Sequence, residues 1–184
     1  KLVMGPWVHG GWHKGKGSSL GSVRFGMKNS EYYQDSIEIP FFEYYLNGKG
    51  KDELPEASIF FTGENQWKEL DSWPPRKMEY VKYYLNEDQT VSTNPPKQNN
   101  SFDQYYSDPS KPVPYTEDVH LRRTTEYMND DQRFAARRTD VLVYQTQTLS
   151  TDMTLAGPVI ADLKVNISTT DADFVVKIID VFPD

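Results

Sequence analysis

Leu2-Val3-Met4-Gly5-Pro6-Trp7-Val8-His9-Gly10-Gly11-Trp12 is the stretch on which the reading of the fold turns. Leu2-Val3-Met4 has the unbroken apolar character of the end of a buried strand, and Gly5-Pro6 breaks it. In α/β sheets, ligands gather just past the carboxyl edge of such a strand. His9 sits on the loop that leaves that edge, with Trp7 and Trp12 on either side and Gly10-Gly11 after it. From the residues alone two readings of His9 stand. It is a general base reaching into a cleft, since imidazole changes charge near neutral pH, or a loop histidine capping a backbone carbonyl.

The segment Gly5-Pro6-Trp7-x-His9, followed by glycine and small polar residues, resembles the catalytic-histidine segment of the CocE/NonD serine hydrolases. Further stretches match in the same order: 40–46 (PFFEYYL), 62–67 (TGENQW), 106–114 (YSDPSKPVP), 131–134 (DQRF), 138–142 (RTDVL) and 171–181 (DADFVVKIIDV). The resemblance runs the whole chain and is nearest to the α-amino-acid ester hydrolase and glutaryl-7-aminocephalosporanic acid acylase branch. It implies that His9 is the histidine of a Ser-His-Asp triad, which takes the serine proton and returns it to the leaving group. In that family the serine and the acid precede the histidine, and so does the acidic cluster that selects a substrate α-amino group. None of these lies in residues 1–184. The resemblance further implies a small-molecule ester or amide substrate, a homo-oligomer, no cofactor, and a periplasmic or secreted setting.

The chain has 184 residues, enough for one large domain or one domain and a piece of another. It carries 20 Lys+Arg against 27 Asp+Glu, a net charge of -7, which disfavours nucleic acid as a partner. Twelve tyrosines, 12 prolines and 11 glycines suit a β-rich domain with long ordered loops. There is no cysteine, so disulfides and thiolate zinc sites are excluded. No apolar run approaches the roughly 20 residues that span a bilayer, so no membrane partner is expected. Lys1 opens the chain already inside a strand, and Phe182-Pro183-Asp184 follows another. Both ends read as cuts through a larger protein.

Gly17-Ser18-Ser19-Leu20-Gly21 fits G-x-S-x-G, but a nucleophile elbow needs a strand before it and a helix after it. Ser19 also follows His9 rather than preceding it, so it is rejected as nucleophile, and residues 14–22 are expected to be a flexible loop at the site's rim. Ser30 to Leu46 reads as a helix with Ser30 as N-cap and Tyr33, Ile37, Phe41 and Tyr44 on one apolar face. Pro40 predicts a kink or two shorter helices, and Asn47-Gly48 a C-cap. This would be the last helix of a catalytic α/β domain.

From about Lys51 the pattern changes to β. Strands are expected at 57–62, 66–73, 78–85, 141–146, 150–155, 159–168 and 173–182, with a turn at 86–88 and polar or proline-rich loop at 91–101 and 102–115. Short strands without intervening helices argue a β-sandwich or jelly roll. The expected architecture is therefore mostly β. Residues 1–50 form the C-terminal strand-loop-helix piece of an α/β-hydrolase domain, and residues 51–184 a jelly-roll domain incomplete at its C-terminus. A long apolar edge at 173–182 would be a liability unless covered.

Trp7 and Trp12 are candidates to line the acyl or leaving-group pocket, or else to pack the loop against the β domain. His13 and His120 are expected at the surface. No residues have a metal-ligand spacing, and Asp171, Asp173 and Asp180 lack the EF-hand pattern. Asp173 and Asp180 are expected to be buried and hydrogen-bonded. Two non-catalytic readings compete for residues 51–184. One is a carbohydrate-binding platform of exposed, coplanar Trp67 and Trp73. The other is a structural module that walls a site or builds an oligomer.

Overall fold

The computed structural model describes residues 1–98 and 100–182. Strand β1 (Leu2–Met4) is followed by a short 3-10 turn at Gly11–His13 and then by a small hairpin, β2 (Ser19–Leu20) with β3 (Val23–Arg24). A helical segment follows, made of α1 (Asn29–Tyr33), a π turn (Gln34–Glu38) and α2 (Ile39–Asn47). Strands β4 (Ala57–Phe61) and β5 (Gln66–Leu70) come next, and then a second small hairpin, β6 (Tyr84–Leu85) with β7 (Val91–Ser92). One further turn of helix, α3 (Arg133–Ala136), completes the regular structure among the described residues apart from 3-10 turns at Glu87–Gln89 and Glu126–Met128.

The main sheet has the order β1-β4-β5. β1 runs parallel to β4, with Leu2 opposite Ala57 and Met4 opposite Ile59. β4 runs antiparallel to β5, with Phe60 opposite Trp67. β4 is the central strand, and its sequence Ala-Ser-Ile-Phe-Phe shows it: four consecutive residues are buried, as expected of a strand covered on both faces. The helical segment is therefore the crossover of a strand-helix-strand unit. The division expected at residue 50 runs through this sheet, since β1 precedes it and β4 and β5 follow it.

The crossover ends as its sequence predicts, stays continuous where a break at Pro40 is expected, and starts differently from the expected Ser30 cap. Pro40 has no N–H to offer the Ser36 carbonyl, and its ring crowds that carbonyl. The chain answers with the π turn immediately before it, so the two α segments are joined rather than broken. Gly48, at φ 63°, closes α2. Its N–H donates to the Tyr44 carbonyl at 3.1 Å and the Lys49 N–H to the Glu43 carbonyl at 3.0 Å. At the start, Ser30 does not cap the helix. The helix begins at Asn29, Lys28 takes the cap position without a side-chain bond, and Ser30 is used elsewhere.

The return to β4 is pinned by charge. Lys1 Nζ donates to the Leu54 carbonyl at 2.7 Å and to Glu56 at 3.1 Å, and lies 3.5 Å from Asp52. The Tyr45 hydroxyl donates to Asp52 at 2.7 Å. That bond, with Lys1 nearby, holds the Asp52 carboxyl below its ordinary range.

Downstream, ladders are scarce. Of the strand expected at 78–85 only Tyr84–Leu85 pairs, and its partner Val91–Ser92 lies in the expected loop at 91–101. Asn99 of that loop, and Pro183 and Asp184 after the last expected strand, lie outside the described residues. The runs expected as strands at 141–146, 150–155, 159–168 and 173–182 make no ladder among the described residues, apart from one parallel bridge of Gln145 to Thr90. A strand exists only by pairing, and the described segments near these runs meet them through side chains, such as Lys177 with Gln132, rather than through backbone ladders. Their apolar side chains stay open, with Ile160 72% and Val175 83% exposed. Asp173 and Asp180 are likewise exposed, not buried, because the segment around them is uncovered.

Two ties organise this part. The Arg138 guanidinium donates to both Asp140 oxygens, at 2.8 and 2.6 Å, and to the Lys111 carbonyl at 3.1 Å. The Tyr144 hydroxyl donates to Asp103 at 2.5 Å. Partial burial, and then that carboxylate, push the Tyr144 phenol up to about 12.

Phe60 is 7% exposed and meets Phe25 and Trp67 edge-on. Phe60→Ala is expected to cost about 3–5 kcal/mol in urea denaturation, against under about 0.5 kcal/mol for Leu85→Ala on the surface. Equal costs would refute the placement of the core. Tyr144 gives a pH test. An ordinary tyrosine ionises near pH 10, so between about pH 10 and about 12 the folded chain keeps a proton the unfolded chain has lost. The tie contributes fully below that window and is lost as pH rises through it. Tyr144→Phe is expected to flatten the alkaline fall in stability there, and an unchanged slope would refute the tie.

Candidate functional site

β1 and β4 are parallel, so the edge that β1 leaves at Met4 is the carboxyl edge of both strands. The chain turns there at once. Pro6 is buried, the Trp7 N–H donates to the Gly5 carbonyl at 3.0 Å, and the Gly11 N–H donates to the Val8 carbonyl at 2.8 Å. His9 and Gly10 are the two central residues of that last turn. The His9 imidazole is exposed, and its ring meets the Trp12 ring edge-on, 5.9 Å between centroids. His13, also exposed, meets Trp12 edge-on as well, at 5.4 Å. Trp12 is half-buried and in ring contact with both histidines.

Trp7 lies in a different place. Its ring packs against Tyr33 at 5.4 Å and Trp67 at 5.8 Å, within a cluster that continues through Tyr32 and Phe60. It thus joins β1, the helical segment and β5. Trp67 is half-buried in the same cluster, with its indole N–H committed to Asn29 at 2.9 Å. Trp67 and Trp73 are both half-buried, so the exposed platform considered for a carbohydrate is not formed.

The loop after His9 is anchored rather than flexible, which corrects the expectation for residues 14–22. Ser30 Oγ donates to the Gly11 carbonyl at 2.9 Å, Gln34 Nε2 to the Trp12 carbonyl at 2.8 Å, and Asn29 Nδ2 to the Gly17 carbonyl at 3.1 Å. The Ser30 N–H adds a bond to the Lys16 carbonyl at 3.1 Å. Asn29 and Ser30 are fully buried. Asn129 reaches back from far along the chain to the Leu20 carbonyl at 2.6 Å. Ser19 opens the β2-β3 hairpin, with no helix after it, so it sits on no elbow.

Sequence reasoning missed Asn29, Gln34 and Trp67 as loop-holding residues and gave Ser30 a cap. The available signal was a run of polar side chains, Asn29, Ser30 and Gln34, on the first turns of a helix following a glycine-rich loop. Among the described residues no cluster of His, Cys, Asp or Glu could hold a metal ion, and no helix is long and apolar enough to cross a membrane.

Two glycines separate space from backbone strain. Gly15 (φ 75°) and Gly17 (φ 66°) both adopt the left-handed region. An added Cβ at Gly15 meets nothing within 4 Å, whereas at Gly17 it would lie 2.7 Å from the Ser30 backbone nitrogen. Gly15→Ala is expected to cost about 1–2 kcal/mol from strain alone, and Gly17→Ala distinctly more. Equal costs in chemical denaturation would show that the loop does not press on the helix start.

Residues 47–184 match the family of X-Pro dipeptidyl-peptidase C-terminal non-catalytic domains. The match begins at the last residue of α2, so the His9 loop and the helical segment precede it. Across the whole chain there is 30% identity, over 197 residues, to a cocaine esterase from Rhodococcus sp. (strain MB1 Bresler). Among solved structures, an aminopeptidase from the marine sediment archaeon Thaumarchaeota archaeon superposes with a TM-score of 0.68 at 36% identity, covering 77% of this chain and 24% of that one. An α-amino acid ester hydrolase superposes at 0.73 with 33% identity, covering 85% of this chain and 27% of that one. The chain spans 33% of the length of the cocaine esterase it matches. Its relatives are esterases and hydrolases, and the stretch from residue 47 onward is of the type that is non-catalytic in them. The chain belongs to the X-Pro dipeptidyl-peptidase C-terminal domain family, within the CocE/NonD hydrolases.

Proposed function

We propose that residues 1–50 are the last strand, histidine loop and final helix of an α/β-hydrolase domain, and that His9 is the proton-shuttling histidine of a Ser-His-Asp hydrolase. The observation that carries this is the exposed His9 imidazole on an anchored turn, just past the carboxyl edge of two parallel strands. In the proposed reaction His9 accepts the proton of a serine hydroxyl as its oxygen attacks an ester or amide carbonyl carbon. It then delivers that proton to the departing alkoxide oxygen or amine nitrogen, leaving an acyl-serine that water hydrolyses. The serine and the acid come from polypeptide outside residues 1–184. Trp12, edge-on to His9, is the aromatic wall nearest the imidazole, while Trp7 packs beneath the loop.

The relatives' names suggest esters as the substrate class, α-amino-acid esters among them, and the family resemblance adds amides such as β-lactam side chains. Residues 51–184 are read as a jelly-roll module, with the extended apolar runs at 159–168 and 173–182 pairing with strands from elsewhere. Their exposure favours a domain that packs on other polypeptide, walling the site or joining copies, over one that binds ligand on its own.

The isolated 184-residue chain is expected to show no ester turnover. In the full-length protein His9→Ala is expected to lower kcat by at least about a thousandfold with little change in thermal stability. Turnover by the isolated chain that His9→Ala abolishes, or a full-length His9→Ala variant with near-normal kcat, would sink this reading.

A further inference from the structure

We infer that Asn29, Ser30, Gln34 and Trp67 are positioning residues that hold the His9 turn in its working geometry, so that β5, inside the stretch matched as non-catalytic, helps set the rate of the histidine step. This rests on the reading of His9 given above. The carbonyls of Gly11 and Trp12 follow His9 by two and three residues, and each accepts a bond from a side chain of the helical segment. A third side chain, Asn29, takes the Gly17 carbonyl, where the loop reaches the helix start.

The direction of these bonds separates positioning from ordinary helix capping. A capping oxygen turns inward to accept from the helix's own N–H groups. Here the first turn has no side-chain cap, and all three side chains donate outward to loop carbonyls. Asn29 also has only one workable amide orientation. Its Oδ1 accepts from the Trp67 indole and its Nδ2 donates to Gly17. Flipping the amide would set two donors against each other and two acceptors against each other. Trp67 thereby fixes Asn29, Asn29 fixes one end of the loop, and Ser30 and Gln34 fix the other.

The test uses the full-length protein carrying Trp67→Phe, Gln34→Met and, as reference, His9→Ala. Gln34→Met nearly conserves volume, whereas Trp67→Phe also removes one ring of the indole, so Gln34→Met is the cleaner of the two. Phenylalanine keeps a ring against Trp7, Tyr32 and Phe60 but loses the N–H. Turnover of p-nitrophenyl acetate is measured against concentration, and the reactive serine is titrated with a fluorophosphonate. For both variants kcat per titrated serine is expected to fall about tenfold or more, with KM within about twofold, since small misplacements of a reacting group cost about that much or more. A fall in the titrated fraction alone, with normal kcat per serine, would show a merely structural role and overturn the inference. So would normal kcat per serine in both variants while His9→Ala is inactive, which would leave the His9 reading standing. An active His9→Ala variant would instead remove that reading, and this inference with it.

Discussion

The structure depends on how one irregular loop satisfies its backbone. Residues 9–17 lie outside every strand, so their carbonyls are not paired by a ladder, and a carbonyl left unpaired against a packed helix is costly. Asn29, Ser30 and Gln34 supply the missing donors from the first turns of the helical segment. The same three bonds join the loop to the helix, and the Trp67–Asn29 bond joins the helix to the sheet. Ring contacts fill the space between: Trp7, Tyr32, Tyr33, Phe60 and Trp67 form one aromatic layer over the loop's underside. Removing the polar clamp would leave the loop and helix sides of that layer held by ring packing alone.

The sheet explains why the region matched as a separate domain cannot be considered apart from what precedes it. β4 is parallel to β1 and antiparallel to β5, and only as the middle strand does its Ala-Ser-Ile-Phe-Phe sequence make sense. A non-catalytic domain whose first two strands complete the sheet beneath a histidine loop is mechanically part of that site. Lys1 and Tyr45, both committed to the 52–56 turn, tie the two sides of the crossover together.

Beyond residue 140 the balance reverses. The accessible surface is 15407 Å², where a compact monomer of 21.3 kDa exposes roughly 9,000 Å². Part of the excess is apolar side chain outside any ladder: Val159, Ile160, Val175, Ile178 and Val181 are all more than half exposed. Such runs are strands in composition but not in bonding. An open apolar edge of this length invites another surface to cover it. Relatives about three times as long have polypeptide available to do so.

What was legible in the sequence followed from local chemistry. Gly48 closes α2 because only a residue free of a Cβ takes that conformation without strain. Pro40 disturbs the helix because it lacks an N–H. Residues 57–61 form a buried strand because every one is small or apolar. His9 falls on a turn because Gly5-Pro6 ends the strand and Gly10-Gly11 continue the bend. The anchoring of that turn was not legible, because Trp67 and Asn29 are 38 residues apart and meet only after β5 has joined the sheet. Ser30 looked like a cap because a cap and a loop clamp use the same hydroxyl, and only the position of the Gly11 carbonyl separates them. The apolar runs at 159–182 had the composition of strands, but pairing is a property of two segments. One segment's residues determine that it needs a neighbour, and the tertiary structure alone decides whether it has one.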